Sequence, residues 1–450
     1  MGNASMVLVS ARAPHLVCFV LGGLLASCSS NSGDGVETDS GSSDAASADS
    51  TLTDGGSSDG TMADGRLADS DAADSRPSDG APKTDTMPSD TGYTSLDSAG
   101  CSSPFADQVV YPVGPGPRSM AVADFSGDGK PDLAVATSNS AGGLVSVLVN
   151  EGSGTFATAV SYAVGGDPTS VATGDFNGDG QIDLAVSSAI DGTVSVLLNL
   201  GSGTFAPAVP YTVATGAFSS NVQSIVVGDF DSDGKPDLAA AVFGDKVYVL
   251  LNRGGGTFAA PVAHWGGVGL AKIAIGDFDG DGKPDLVATN ETSVSVLVNA
   301  GSGTFAAPVA YPVWSRPTTL VVGDFNGDSK PDLTALVAST PGVLSVLLNE
   351  GSGTFAEVDN KVASSAAQAA GDFDGDGKLD LALTDGATPG HVSVLVNHDR
   401  GIFTPAGAAY PVGGNPRSVA VGDFNGDGKP DIVAGNQDDN MVSVLLSCAR

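Results

Sequence analysis

A ten-residue phrase recurs seven times in the C-terminal part of this chain, and its regular spacing constrains the fold more than any other feature of the sequence. The consensus is Asp-Phe-(Asn/Asp/Ser)-Gly-Asp-Gly-Lys-Pro-Asp-Leu, and the copies begin at Asp124, Asp175, Asp229, Asp277, Asp324, Asp372 and Asp423. A period of about 50 residues is typical of propeller blades, each of which contains four short strands. We therefore expect seven similar units that pack on one another.

The first copy shows how four strands fit into one repeat. Residues 119–123 alternate in polarity before the phrase, and residues 132–136 and 145–149 form two further strand-like runs after it. A Gly-rich turn then leads to a fourth run that begins at Phe156. Alternating runs separated by turn residues indicate an all-β domain. The sequence thus predicts a seven-bladed β-propeller over residues 101–450.

The two ends of the predicted propeller complement each other. The seventh copy ends after its third strand, at residues 442–446, and has no fourth strand. Residues 105–113 precede the first copy and read like the fourth strand of other copies, such as residues 305–313. We therefore expect this N-terminal strand to complete the last blade and close the ring, which removes exposed sheet edges.

Two cysteines support this closure. Cys101 and Cys448 fall at neighbouring positions of the turn that the closed seventh blade would contain. A disulfide between them would tie the ends of the domain together, and an exported protein meets the oxidising conditions that it needs. Two free thiols are the alternative.

The beginning of the chain has the layout of an export signal. A short apolar run, residues 16–25, follows Arg12 and ends in small residues, as in a secretory signal peptide over residues 1–27. The sequence Leu-Ala-Ser-Cys that ends at Cys28 resembles a bacterial lipobox. This resemblance implies that Cys28 carries lipid and anchors an exported lipoprotein of the bacterial envelope, in the outer membrane. An ordinary signal peptide with a chance cysteine is the alternative.

Residues 28–100 differ in composition from the repeats. They are rich in Ser, Asp, Gly, Thr and Ala, and from residue 29 onward they hold 15 acidic and 3 basic residues. A segment of this composition cannot bury enough apolar surface to fold. We predict a disordered tether that holds the propeller away from the membrane.

Each copy of the phrase places oxygen atoms at alternating positions of a tight loop. Positions 1, 3, 5 and 9 carry Asp, Asn or Ser side chains, and position 7 offers its backbone carbonyl oxygen. Such loops are typical of Ca²⁺ sites, although Asp-Gly turns without metal are the alternative. We therefore expect up to seven Ca²⁺ ions. The predicted ligands, in chain order, are Asp124, Ser126, Asp128, Lys130, Asp132, Asp175, Asn177, Asp179, Gln181, Asp183, Asp229, Asp231, Asp233, Lys235, Asp237, Asp277, Asp279, Asp281, Lys283, Asp285, Asp324, Asn326, Asp328, Lys330, Asp332, Asp372, Asp374, Asp376, Lys378, Asp380, Asp423, Asn425, Asp427, Lys429 and Asp431.

The charge of the chain agrees with this interpretation. A net charge of −33 argues against a nucleic-acid partner, because binding phosphates requires Lys and Arg. Most acidic residues of the repeat region belong to the loops, so Ca²⁺ would offset much of this charge. The loops are not equal: Ser126 replaces a carboxylate or amide in the first, and Ser329 replaces a glycine in the fifth. We expect these two loops to bind most weakly.

The phrase and the blade layout together resemble the FG-GAP/VCBS repeat family, which includes the propeller of integrin α subunits. The resemblance covers residues 105–447. It implies that the metal loops join the first and second strands of each blade and stabilise the fold, whereas ligands often meet the opposite face.

The connections after the second and fourth strands share that opposite face, which we call the second face. Both tryptophans of the chain, Trp265 and Trp314, lie in such connections, and Arg316 follows closely. Exposed Trp beside Arg is suited to stacking on a sugar or binding a carboxylate. Packing of both Trp rings between blades is the alternative.

These observations favour a calcium-stabilised ligand-binding or adhesion module of the cell envelope, with a glycan or protein ligand. We expect a monomer that contacts the membrane through its lipid anchor only. A structural or assembly scaffold is the alternative. We do not expect an enzyme, because no cluster of acid, base and nucleophile stands out, although propellers can host glycan-active enzymes.

Overall fold

The computed structural model describes residues 104–139, 142–215, 221–337, 342–362, 365–398 and 400–448. The predicted signal peptide, the acylated Cys28, the tether and Cys101 lie outside these residues. All secondary-structure elements named within these ranges are β-strands. The described residues contain no helix long and apolar enough to cross a membrane.

The strands are short and follow one another at the period of the repeat. In chain order they are β1 Val109–Pro112, β2 Pro117–Ala123, β3 Asp132–Asn139, β4 Gly142–Leu148, β5 Asn150–Gly152, β6 Thr155–Phe156, β7 Val160–Val164, β8 Pro168–Gly174, β9 Asp183–Ser188, β10 Thr193–Leu197, β11 Asn199–Gly201, β12 Thr204–Phe205, β13 Val209–Thr212, β14 Val222–Gly228, β15 Asp237–Val242, β16 Lys246–Leu250, β17 Asn252–Gly254, β18 Thr257–Phe258, β19 Val262–Trp265, β20 Ile273–Gly276, β21 Asp285–Thr289, β22 Ser293–Leu297, β23 Asn299–Gly301, β24 Thr304–Phe305, β25 Val309–Pro312, β26 Pro317–Gly323, β27 Asp332–Val337, β28 Gly342–Gly351, β29 Thr354–Val362, β30 Ala367–Gly371, β31 Asp380–Thr384, β32 Gly390–Asn397, β33 Phe403–Pro405, β34 Tyr410–Val412, β35 Pro416–Gly422, β36 Asp431–Asn436 and β37 Met441–Leu445.

These strands form seven antiparallel blades, as the sequence predicts. From the inner to the outer strand the blades are β2-β3-β4-β7, β8-β9-β10-β13, β14-β15-β16-β19, β20-β21-β22-β25, β26-β27-β28-β29, β30-β31-β32 with β33 and β34, and β35-β36-β37-β1. Neighbouring inner strands contact each other in cyclic order, and β35 of the last blade contacts β2 of the first. The blades therefore form a closed ring.

The N-terminal strand closes this ring. Strand β1 pairs with β37, with Val109 opposite Val444 and Tyr111 opposite Val442. An isolated bridge between Phe105 and Ser447 extends the pairing. The predicted closure of the seventh blade is thus confirmed.

The hydrophobic core is divided among the interfaces between blades. Seven clusters of buried apolar side chains are found among the described residues, and each draws its members from two adjacent blades. Alternate side chains of a strand point to opposite faces of the sheet, so each blade of the ring packs on both of its neighbours. This is why inner strands such as β8 and β9 are buried along their whole length, whereas outer strands such as β7 and β13 are largely exposed.

Aromatic side chains repeat at these interfaces. Tyr111, on the outer strand of blade 7, packs edge-to-face on Phe156 of blade 1, with ring centroids 5.4 Å apart. Phe156 in turn packs on Phe424 of the blade 7 loop at 5.5 Å. His264 takes the place of the tyrosine in blade 3 and packs on Phe305 at 5.3 Å. His264 is therefore a packing residue, although it stands next to Trp265.

Candidate metal centres and the second face

The fourth loop, between β20 and β21, shows how the phrase folds locally. The Asp277 carboxylate at position 1 accepts hydrogen bonds from the backbone N–H groups of Gly280 at 2.8 Å, Asp281 at 3.1 Å and Gly282 at 2.9 Å. The two glycines have φ of +80° and +84°. This left-handed backbone is inexpensive only for glycine, which explains why positions 4 and 6 of the phrase carry it.

Two loops depart from this rule. Ser329, at position 6 of the fifth loop, has φ +66°, the left-handed backbone that glycine adopts at this position in the other loops. Ser232 at position 4 of the third loop also has φ +62°, a strained position that the sequence analysis did not single out. A left-handed backbone costs free energy at any residue other than glycine, so these two serines destabilise their loops slightly.

Three loops bring acidic side chains together closely enough to hold a metal ion. Their carboxylate oxygens at positions 1, 3 and 9 lie within 4.8 Å of one another. The three triads are Asp229, Asp231 and Asp237; Asp277, Asp279 and Asp285; and Asp372, Asp374 and Asp380. These are the loops that carry Asp rather than Asn or Ser at position 3. The oxygen-only donor set fits a hard cation such as Ca²⁺.

The carboxylate at position 5 has a different partner. In the fourth loop Asp281 forms an ion pair with the Lys283 ammonium at position 7, and this hydrogen bond holds the pKa of Asp281 below its usual value. The same pair recurs in the first, third, fifth and sixth loops. Exposed pairs of this kind contribute little to stability, so a cation could compete for the carboxylate.

The carboxylate at position 9 is buried. In the fourth loop Asp285 accepts hydrogen bonds from the backbone N–H groups of Phe278 at 2.9 Å and Asn299 at 2.7 Å. Burial raises the pKa of Asp285 to about 6 and that of Asp237 to about 7. A buried carboxylate near other acids is unfavourable by itself, so this position also fits a bound cation.

We expect replacement of this buried carboxylate to destabilise the protein even without metal. Asp285→Ala leaves two buried N–H groups without acceptors, which costs about 2–5 kcal/mol. Asp281→Ala, in the same loop, removes only an exposed partner and should change the free energy of unfolding little in metal-free buffer. Urea unfolding of both variants measures this. Equal effects of the two substitutions would contradict the role assigned to position 9.

The raised pKa values also predict a pH dependence for metal-free protein. The position 9 carboxylates have folded-state pKa values of about 6 at Asp183, Asp285, Asp332 and Asp380, and about 7 at Asp237 and Asp431. Between their unfolded pKa of about 3.9 and these values the folded state binds more protons. The free energy of unfolding should therefore fall as pH rises from 4 to 7.

This loss should amount to roughly 1–3 kcal/mol per carboxylate. Urea unfolding of metal-stripped protein at pH 5 and pH 7.5 measures it, and excess Ca²⁺ should cancel it by neutralising the same groups. Greater stability of the stripped protein at pH 7.5 would contradict the prediction.

An asparagine that the sequence analysis overlooked connects the loops to one another. The Asn299 amide donates to the carbonyl oxygens of Pro284 in its own loop, at 3.0 Å, and Phe230 in the preceding loop, at 3.2 Å. Its side-chain oxygen accepts from Gly301 N–H at 2.8 Å. The same residue recurs at Asn150, Asn199, Asn252, Asn349 and Asn397. In the sequence, an asparagine at the start of each Gly-rich turn is the pattern from which this role could have been predicted.

The seventh blade uses its C-terminal residues instead. Ser447 N–H donates to the Asp431 carboxylate at 2.7 Å, and Cys448 N–H donates to the Pro104 carbonyl oxygen at 2.8 Å. Cys448 is buried and disulfide-bonded. The predicted partner, Cys101, lies outside the described residues, as do the other two cysteines, so this pairing stays a prediction.

The second face exposes both tryptophans. Trp265 ends β19 and is 47% exposed, with the Lys246 ammonium 5.2 Å from its ring centroid. Trp314 lies between β25 and β26 and is 74% exposed. The Arg316 guanidinium lies 5.9 Å from the ring centroid of Phe243, which is 44% exposed. We call these five residues the aromatic surface. The alternative in which the Trp rings pack between blades does not agree with these exposures.

The structure also pairs a histidine with an acid on the second face of blade 6. His391 Nδ1 lies 3.0 Å from an oxygen of Asp385, in the connection between β31 and β32. The other Asp385 oxygen accepts N–H bonds from Ala387 and His391, both at 3.0 Å. The pair therefore holds its own connection together, and no spacing in the sequence indicated it.

Comparison with solved structures shows the propeller fold. The chain is similar to BBS1N from a complex with ARL6DN, with 13% identity and a TM-score of 0.53 over 77% of this chain and 98% of that one. It is similar to virginiamycin B lyase of Staphylococcus aureus, with 12% identity and a TM-score of 0.50 over 76% and 99%. A lectin of Agrocybe aegerita that recognises non-reducing terminal N-acetylglucosamine matches with 22% identity and a TM-score of 0.46 over 71% and 85%.

No curated protein matches this chain. The family model described as FG-GAP-like repeat matches residues 124–186, 185–240, 229–288, 277–335, 333–383 and 372–434. These segments cover most of the chain and follow the blades described above. The chain therefore belongs to the FG-GAP-like repeat family.

Proposed function

We propose that this protein is a calcium-stabilised binding module of the bacterial envelope, and that its ligand binds at the aromatic surface. The observation that carries the proposal is the exposure of Phe243, Trp265 and Trp314 on connections of the second face, with Lys246 beside Trp265 and Arg316 beside Phe243. Soluble proteins rarely expose several large aromatic side chains together without a binding role. Trp and Arg also dominate the energetics of known binding sites.

The architecture supports separate roles for the two faces, with metal binding on one and ligand binding on the other. The metal loops are near-copies of one another, so their face offers little chemical variety. The second face carries unlike groups on connections that a rigid ring of blades supports, which is the usual arrangement of a binding site. The proposed ligand is a glycan or a protein, since aromatic rings with adjacent Arg suit both a sugar face and a peptide.

The proposed role is binding rather than catalysis. The His391–Asp385 pair belongs to blade 6, whereas the aromatic surface belongs to blade 3 and the connection from blade 4 into blade 5. Export through the signal peptide, anchoring through Cys28 and a monomeric state remain parts of the proposal. Radiolabelled palmitate incorporation, lost in Cys28→Ala, tests the anchor.

An array of glycans and envelope proteins, probed with and without Ca²⁺, tests the binding function. Trp265→Ala with Trp314→Ala should lower binding at least tenfold and leave the melting temperature in Ca²⁺ unchanged. Ile190→Ala with Leu200→Ala is the matched control, because both side chains are 66% exposed and lie in blade 2. Binding that survives the double Trp substitution, or that the control abolishes equally, contradicts the assignment.

A further inference from the structure

One lysine interrupts a row of small residues on the inner strands. Lys272 lies five residues before the fourth metal loop and directly precedes β20. The equivalent residues of the other blades all have small side chains; they are Ser119, Ser170, Ser224, Thr319, Ala367 and Ser418. Blade 4, which lies between the connections that carry Trp265 and Trp314, thus differs from every other blade at this place.

The side chain of Lys272 is buried without a partner. The residue is 7% exposed, and its backbone pairs with Thr289, whose hydroxyl oxygen accepts the Lys272 N–H at 2.9 Å. No described residue makes an ion pair or hydrogen bond with the ammonium. Burial alone lowers the pKa of Lys272 to about 7, with no contribution from a charged neighbour.

The inner strands of the two adjacent blades supply no counter-charge, and the one acid of β21, Asp285, stands at its far end, opposite Gly276. Strands β14 and β26, which contact β20, contain no charged residue. Glu291 follows β21 and Arg316 precedes β26, and neither forms an ion pair with Lys272. The ammonium nitrogen of Lys272 is not completely enclosed by protein atoms. It therefore keeps limited access to solvent, which an incoming group can use.

The direction of the side chain follows from its equivalents. The hydroxyls of Ser119 and Ser170 accept the N–H groups of Val171 and Ile225, each on the inner strand of the next blade. By equivalence with these two serines, we expect Lys272 to extend from blade 4 toward β26 of blade 5. The chain enters β20 from Trp265 and enters β26 from Trp314 and Arg316, so Lys272 stands at the end of the inner strand of blade 4 that is nearest the second face.

We propose that Lys272 binds an acidic group of the ligand, while the neutral part of that ligand lies on the aromatic surface. The inference rests on the proposed function and narrows it to a ligand that combines a sugar-like face with an anion, such as a uronic acid. An anion supplies the partner that the buried ammonium lacks. The acidic metal loops do not oppose this, because they lie on the other face.

Calorimetry with calcium-loaded full-length protein tests the proposal directly. Glucuronate should bind at least tenfold more tightly than glucose, and Lys272→Met should abolish this preference without weakening glucose. Glucose 6-phosphate carries a phosphate in place of the carboxylate of glucuronate. Whichever of the two compounds binds more tightly identifies the anionic group that Lys272 recognises. Arg253→Met is the charge-matched control, because Arg253 lies in the β17 hairpin on the metal face, and it should change nothing.

A second measurement reports on the ammonium itself. With ¹³Cε-labelled lysine, one signal absent from Lys272→Met should titrate near pH 7, and glucuronate but not glucose should raise its midpoint by at least one pH unit. Glucose binding without a preference for either anion, or an unchanged midpoint, overturns the role of Lys272 and leaves the proposed function standing. Failure of all three probes to bind the wild-type protein overturns the acidic-sugar assignment.

Discussion

Chelation of metal is expected to lower the melting temperature of this protein by roughly 10 °C. A ligand present at a hundredfold excess over its dissociation constant stabilises the native state by about 2.7 kcal/mol per site. The three loops with converging acidic triads alone would thus contribute about 8 kcal/mol. For a domain of this size each kcal/mol corresponds to about 1–2 °C. Scanning calorimetry in EGTA and in excess Ca²⁺ measures the difference.

Loop variants separate metal binding from other effects of the chelator. Asp279→Asn gives the fourth loop the amide that the second loop has at position 3, and should weaken that site while leaving the fold intact. Ser126→Asp in the first loop should have the opposite effect, because it adds the carboxylate that this loop lacks. A melting temperature that does not respond to EGTA, or that responds equally in both variants, would refute the calcium role.

Tyr111→Ala is expected to destabilise the closed ring by about 3–5 kcal/mol. Tyr111 is buried on β1, packs on Phe156 with ring centroids 5.4 Å apart, and donates its hydroxyl to the Gly154 carbonyl oxygen at 3.3 Å. Its loss leaves a cavity between blade 7 and blade 1, where the two ends of the chain meet. Urea unfolding monitored by fluorescence and circular dichroism measures the change.

Val110→Ala is the matched control for this prediction. Val110 is the preceding residue of the same strand, but its side chain is 46% exposed. Its truncation should cost less than about 1 kcal/mol, because surface substitutions seldom cost more. If both variants unfold at the same urea concentration, the interface between blades 7 and 1 does not carry the stability assigned to it.

The repeat by itself determined the blade number, the strand order and the closure by β1. Each of these properties is local to one repeat or follows from counting the repeats. Each is visible in residues that are close in sequence: polarity alternates along a strand, glycine stands at left-handed positions, and the fourth strand missing at one end is present at the other. The same reasoning placed the acidic residues in loops between the first and second strands, where the structure has them.

Only the tertiary structure decided which side chains contact one another and which stay isolated. The pairing of Asp281 with Lys283 rather than with the triad, the Asn299 link to the preceding loop, and the isolation of Lys272 all depend on side-chain packing or on residues from another blade. A period in the sequence repeats every blade alike, so it cannot report burial or electrostatics at the positions where one blade differs. Those differences arise when the ring closes and sets each blade against two neighbours, and on the second face they leave Trp265 and Trp314 exposed.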